Sequence, residues 1–411
     1  MEHAQDETVP SFGSRTGACN FQPSAVNFCD DMGFPFKALV NGERSSVLTL
    51  ARLTRTDPQP LLANLFVRQD RRTLRFRGND LSPLARLHGV MQFCPSCLQE
   101  DMAAYDRRVH LAPYFRYVWS ARPYMTCHRH SLPLHQTTVP RSDRGHDFHR
   151  QILPHLPNLQ KLTEGSVHRP ATDFEHYIYA RMTKRGDQWI DTIGFTMAIR
   201  LCEILGSVAS FGRWATHIEH TRNQWRTAGD AGYQIVRHGP DALQAFLSDL
   251  QTQEGRDSRD GARSDFGNFY LWLTETRDPD IEPIKDIVRQ HLIDSTPVGP
   301  GDTILGRPVE KRIIHSIWTA SKDVGLHPQT LRSYLATAGV VPADPSPFHN
   351  HVLFPLEPNA KLLDQLSRAM SLKSARTYIN CERTVFPLLM KEGHVRPIVQ
   401  GASINPIFDR V

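Results

Sequence analysis

Four residues of this chain carry the spacing of a metal site. Cys94-Pro-Ser-Cys97 and Cys127-His-Arg-His130 are two pairs, each with two residues between its members. A two-residue spacer lets both side chains of one turn converge on a single ion, and two such turns complete a tetrahedron. Sulfur and imidazole ligands of this kind suit zinc, and four protein ligands leave no open position for water or substrate. One structural Zn2+ held by Cys94, Cys97, Cys127 and His130 is therefore expected, rather than a catalytic ion. His128 and His135 are rivals for the fourth place, but only His130 has the paired spacing. A redox pair would need a thioredoxin-like strand–turn–helix around Cys94 and Cys97, and none surrounds them.

A second set of candidates lies near the other end. Thr319-Ala-Ser-Lys-Asp-Val-Gly-Leu-His-Pro-Gln-Thr-Leu-Arg-Ser-Tyr-Leu335 has a helix-turn-helix pattern: Ala320 for close helix crossing, Gly325 for the turn, Pro328 opening the second helix, Leu331 and Leu335 inward. His327, Gln329, Arg332 and Ser333 then point outward, and these types reach phosphates or base edges. Thr330-Leu331, Leu335, Gly339 and Val341 recur, shifted by 54 positions, as Thr384-Val385, Leu389, Gly393 and Val395. A second copy of the unit is read there, with Arg383 and Lys391 as its DNA-facing candidates. Pro387 falls inside its second helix and is expected to kink it.

Those residues must be held by several domains, because 411 residues exceed what one compact core organises. The composition, 40% hydrophobic and 22% charged, is that of globular protein, and the net charge of +5 is too small to define a partner by itself. The first ten residues carry acidic groups and no apolar run, so no export signal is expected, and the seven cysteines point to the reducing cell interior. The longest apolar stretch, 193–211, contains Arg200 and Glu203, which argues against a membrane span.

Periodicity gives the elements. Short helices are expected over 1–80, with Phe12, Phe28, Leu48, Leu50, Leu53, Leu61, Leu62 and Leu65 as core, a helix start at Asp57-Pro58 and a strand over 73–77. Helices are predicted over 188–210, 240–251 and from 278 onward, and the charged stretch 254–264 reads as a loop. Boundaries fall at 140–150 and 295–303. The expected fold is mainly α and multidomain: an N-terminal domain with a zinc finger (1–139), a helical middle domain (151–294), and a region of tandem helix-turn-helix units (304–411).

With these residues in view, the chain resembles the TniQ/TnsD family of transposition target selectors. The likeness rests on Phe93-Cys-Pro-Ser-Cys-Leu-Gln-Glu-Asp101, Tyr114-Phe-Arg-Tyr-Val-Trp119 and Thr126-Cys-His-Arg-His-Ser-Leu-Pro-Leu134. ETVPSFGSRTGA (7–18) resembles the family's opening helix more loosely, and Phe266-Gly-Asn-Phe-Tyr-Leu-Trp-Leu273 resembles the longer, TnsD-like members. The resemblance implies a non-catalytic adaptor in the bacterial cytoplasm, associated with the nucleoid, that marks a target and recruits an AAA+ transposition ATPase. It carries over Cys94, Cys97, Cys127 and His130 as zinc ligands. Two departures stand out: no second zinc cluster is found, and the tandem units favour direct contact with duplex DNA. The implied partners are duplex DNA and the ATPase, with an RNA-guided effector complex and a second copy of the chain as further candidates, and no membrane. The ATPase is expected on residues 1–135, through Trp119 and a rim of Arg71, Arg72 and Arg75. The competing reading is a zinc-containing helix-turn-helix transcription regulator, which accounts for the C-terminal units but not for the segment 90–135. A zinc hydrolase or deaminase would need a three-ligand site with a His-x-Glu base, and no such motif accompanies these cysteines.

Overall fold

The computed structural model describes residues 2–87, 89–105, 108–137, 145–184, 186–215, 220–252, 261–343, 352–401 and 404–410. Residues 140–144 of the expected boundary at 140–150 and 254–260 of the expected loop at 254–264 lie outside these residues. The fold is mainly α with only short strands. It divides into two compact units, residues 1–246 with 277–281, and residues 247–276 with 282–411. Among the described residues no helix is long and apolar enough to cross a membrane.

The first unit opens with five helices, α1 (Val9–Cys19), α2 (Ala25–Asp31), α3 (Phe36–Asn41), α4 (Arg44–Thr54) and α5 (Pro58–Ala63). Phe12, Phe28, Phe36, Leu39, Leu50 and Leu61 close around one core. Asp57 caps α5 from its side chain, accepting from the Gln59 N–H, and Pro58 fills the first turn, where no backbone donor is needed. The 3.6-residue period of α4 turns Val47, Leu50 and Ala51 inward. It therefore leaves Leu48 and Leu53 exposed, contrary to the sequence expectation that both are core.

Three short antiparallel strands follow, β1 (Val67–Arg68), β2 (Leu74–Phe76) and β3 (Asn79–Leu81). Next come β4 (Gln92–Phe93), α6 (Pro95–Ala103), β5 (Thr126–Cys127), β6 (Leu132–Pro133) and β7 (His135–Gln136), with β4 paired to β7 and β5 to β6. Helices α7 (Phe148–Ile152), α8 (Leu159–Glu164), α9 (Asp173–Thr183), α10 (Phe195–Phe211) and α11 (Arg222–Val236) complete the unit, and α12 (Pro240–Thr252) leads out of it. The predicted 188–210 helix starts at Phe195, after a single 3-10 turn (Trp189–Thr192) and Gly194. Helices α10 and α11 cross closely because Gly206 and Gly232 face the partner backbone; a Cβ on Gly232 would fall on the Cys202 carbonyl. Cys202 is fully buried core there.

Buried acidic groups hold the parts together. Glu175, fully buried, accepts from the Met125 and Thr172 N–H groups and pairs with Arg226 at 3.1 Å. Asp147 accepts from the Ser14 hydroxyl and the Ala25 N–H. Glu203, inside the apolar stretch, is clasped by Arg122 at 2.6 Å and Arg200 at 2.9 Å. Each buried carboxylate therefore has its cation or donors, as a low-dielectric interior requires.

The second unit contains α13 (Ala262–Glu275), broken at Gly267 by a positive φ, then α14 (Glu282–Ser295) and the hairpin β8 (Thr303–Ile304) and β9 (Arg307–Pro308). Two copies of one chain path come next. The first is β10 (Ile314–Ser316), α15 (Ile317–Val324), α16 (Pro328–Thr337) and β11 (Leu353–Pro355), followed by α17 (Ala360–Ser367). The second is β12 (Met370–Ser371), α18 (Leu372–Tyr378), α19 (Phe386–Lys391) and β13 (Ile407–Phe408). In each copy the outer strands pair antiparallel. Both second helices end alike: Gly339 and Gly393 sit at φ +74° and +77°, and the residue after each donates back to Leu335 and Leu389 respectively. That is the Schellman ending, and only glycine takes its left-handed position without strain. Pro387 lies in the first turn of α19, which begins at Phe386, so the expected kink does not occur; a proline this early interrupts no helical hydrogen bond.

Candidate functional site

The four spaced residues come together in the first unit. Cys94 is the N-cap of α6, Pro95 opens the helix, and Cys97 sits in its first turn. Cys127 and His130 lie in the tight turn between β5 and β6, closed by the Ser131 N–H donating to the Cys127 carbonyl at 2.8 Å. The His130 Nδ1 is 3.6 Å from the Cys94 sulfur, 3.3 Å from that of Cys97 and 3.5 Å from that of Cys127, and the Cys97 and Cys127 sulfurs are 3.6 Å apart. All four ligand atoms lie within 4.8 Å of one another. A tetrahedral ion with bonds of about 2.3 Å to sulfur and about 2.0 Å to nitrogen sets edges of roughly 3.5–3.8 Å, so the spacing fits. Three cysteines crowded together, all of them buried, also need a cation to ionise together; the adjacent Cys127 sulfur, with burial, pushes the Cys94 thiol up to about 12. The cluster can hold one metal ion.

Helix α6 also supplies the support. Glu100, three residues after Cys97, accepts from His130 Nε2 at 2.8 Å and pairs with Arg129 at 2.8 Å. With Nε2 donating, Nδ1 offers its lone pair to the sulfurs' centre, the usual role of a carboxylate behind a ligating histidine. Asp101, one residue further, makes two bonds to Arg116, at 2.8 and 3.1 Å. Burial raises the Asp101 carboxyl while this ion pair opposes it. The Arg116 guanidinium lies over the Tyr114 and Trp119 rings, at 4.2 and 4.8 Å. Cys97, Glu100 and Asp101 thus occupy one helical face, at steps of three and four. In the sequence Glu100 carries no sign of this role beyond standing next to Asp101. His128 bonds the Tyr124 hydroxyl at 2.6 Å and His135 the Ser166 hydroxyl at 2.9 Å, so both rival ligands are engaged elsewhere.

The expected partner surface is corrected in one respect. Trp119 is 1% exposed, locked between Arg116 and Phe115, and can present nothing to another protein. Arg71, Arg72 and Arg75 are exposed; Arg75 is paired with Asp80 at 2.7 Å.

In the second unit, α15 and α16 are joined by a three-residue turn starting at Gly325, in the left-handed region. Ala320, Leu331 and Leu335 are buried. His327, Gln329 and Ser333 are exposed and Arg332 is half-buried; the Ser333 hydroxyl donates to the Gln329 carbonyl. Arg383 precedes α19 and Lys391 closes it, both exposed, but seven residues separate α18 from α19, so the second copy lacks the tight turn of the first.

The sequence model of the TniQ family matches residues 1–134, the stretch that contains all four converging residues. No curated protein matches the chain.

Proposed function

We propose that the protein, whose residues 1–134 match the TniQ family model, is a non-catalytic target-site selector in transposition. It binds target DNA and recruits an AAA+ transposition ATPase. The observation that carries this reading is the family match falling on the Cys3His cluster and its support from Glu100 and the Asp101–Arg116 pair. The ion is a structural Zn2+: with four protein ligands and the Glu100 carboxylate behind His130, it orders the module and leaves no site for substrate.

DNA contact falls to the first β10–α15–α16–β11 copy. The outward residues of α16 are polar, and His327, Gln329, Arg332 and Ser333 are of types that bond phosphates and base edges. The ATPase docks on the TniQ domain, with Arg71, Arg72 and Arg75 as a rim that steers an acidic surface. In this division 1–139 recruits, 151–294 spaces, and 304–411 engages the target.

Two measurements on the full-length chain test the proposal. Duplex affinity should fall with salt at a log–log slope of about −5 if roughly six phosphates are contacted, and Arg332→Ala should cost about 1–3 kcal/mol of binding. Arg71→Glu with Arg72→Glu should reduce co-purification of a co-expressed AAA+ transposition ATPase without shifting the unfolding temperature. Salt-independent DNA binding, or full ATPase capture by the charge-reversed protein, would refute the corresponding half. The full chain is needed because a cut at 135 would remove Asp147, Phe148 and Glu175 from the core they complete.

A further inference from the structure

The two copies in the second unit share a chain path but not a surface. At the 54-residue shift, Val324, Leu331 and Tyr334 of the first copy correspond to Tyr378, Val385 and Leu388 of the second. The first three are 8%, 0% and 5% exposed and belong to one apolar cluster. Their counterparts are also apolar, yet 59%, 41% and 58% exposed.

What differs is the cover. Against α16 of the first copy lie residues 398–401 and 404–407, and Leu363 and Leu366 of α17 fill the same cluster. Val399 and Ile407 enter its cluster, Ile398 and Ile404 pack against it, and the Tyr334 hydroxyl donates to the Asn405 carbonyl at 3.1 Å. In the second copy Phe386 of α19 turns inward, with Met390 beside it, to a small cluster with Ala375 and Phe408, and Ile379 extends the exposed set. An apolar face of this kind is out of place on a DNA reader, whose second helix needs polar groups outward, and suits a protein partner better. Exposed Lys373, Arg383 and Lys391 surround it, against Glu382 and Glu392.

We propose that this face of the second copy is a docking site for an extended apolar segment of a partner protein with acidic residues on its flanks. The segment lies across Tyr378, Val385 and Leu388 as residues 398–401 and 404–407 lie against α16, and its acidic flanks meet Lys373, Arg383 and Lys391. Arg383 and Lys391 then serve protein recognition, and DNA contact rests with the first copy alone. The proposal does not depend on that DNA contact, since it concerns the other copy.

The probe is a fluorescein-labelled synthetic peptide carrying the sequence of residues 398–407 with two glutamates added at each end. It is titrated against the full-length protein by fluorescence anisotropy. Saturable binding is expected, tighter than for the same peptide flanked by lysines, and weakened by salt. Leu388→Ser should weaken it roughly tenfold or more, and Lys391→Glu should reduce the preference for acidic flanks. Both residues are exposed, so the variants' thermal unfolding should match the parent. Absence of binding, or binding unchanged by Leu388→Ser, overturns the proposal. So does a dimer of the chain that Leu388→Ser disperses, which would give the face to a second copy. Loss of duplex DNA affinity in Leu388→Ser overturns it too, by giving the face to nucleic acid.

Discussion

The carboxylate of Glu100 touches both His130 and Arg129, and the consequences can be separated by substitution. Glu100→Gln keeps the shape but weakens the hold on the His130 tautomer. Metal affinity should drop by about 10–100-fold in a chelator-competition titration, with the fold retained. Cys97→Ser removes a ligand outright. Structural zinc contributes on the order of 10 kcal/mol to its local fold, so this variant should lose its zinc on elemental analysis and become protease-sensitive around α6. Well-folded parent protein with no bound zinc would rule out the assignment of the ion.

Glycines show how the elements constrain one another. At Gly339 a Cβ would meet nothing within 4 Å, but the residue holds φ +74° at the end of α16. Gly339→Ala should therefore cost only the backbone strain, about 1 kcal/mol. Gly232 lies inside α11 with ordinary helical geometry, yet a Cβ there would fall on the α10 backbone. Gly232→Ala should force the helices apart and cost about 1–3 kcal/mol or more. Chemical denaturation of the two variants is the check: if Gly339→Ala proves the more damaging, the close α10–α11 crossing is wrong.

Across the whole molecule, burial keeps several histidines neutral. His149 in the first unit and His291 and His315 in the second are each at most 8% exposed, and burial lowers the pKa of all three below the ordinary 6.5. The unfolded chain binds these protons below about pH 6.5 while the folded chain resists them. Stability should thus be full above pH 6.5 and decline as pH falls from there through the lowered folded values. Unfolding temperatures at pH 7.5 and 5.5 test this; equal values would mean that these side chains take up protons without cost.

The metal centre was legible because a ligand spacing of two is a local property: the turn that brings Cys94 to Cys97 needs only the intervening Pro and Ser. Periodicity likewise located α12 and α14, and the shifted glycines revealed a repeat whose helix endings match bond for bond. Sequence alone could not say which faces are covered, because cover comes from distant segments. Trp119 read as a candidate anchor until Arg116, pinned by Asp101 across the module, closed over its ring. Leu331 and Val385 occupy equivalent positions in the repeat, yet Leu331 is closed in by α15, α17 and the segment around Val399 and Ile407, while Val385, beyond a longer turn, stays in water.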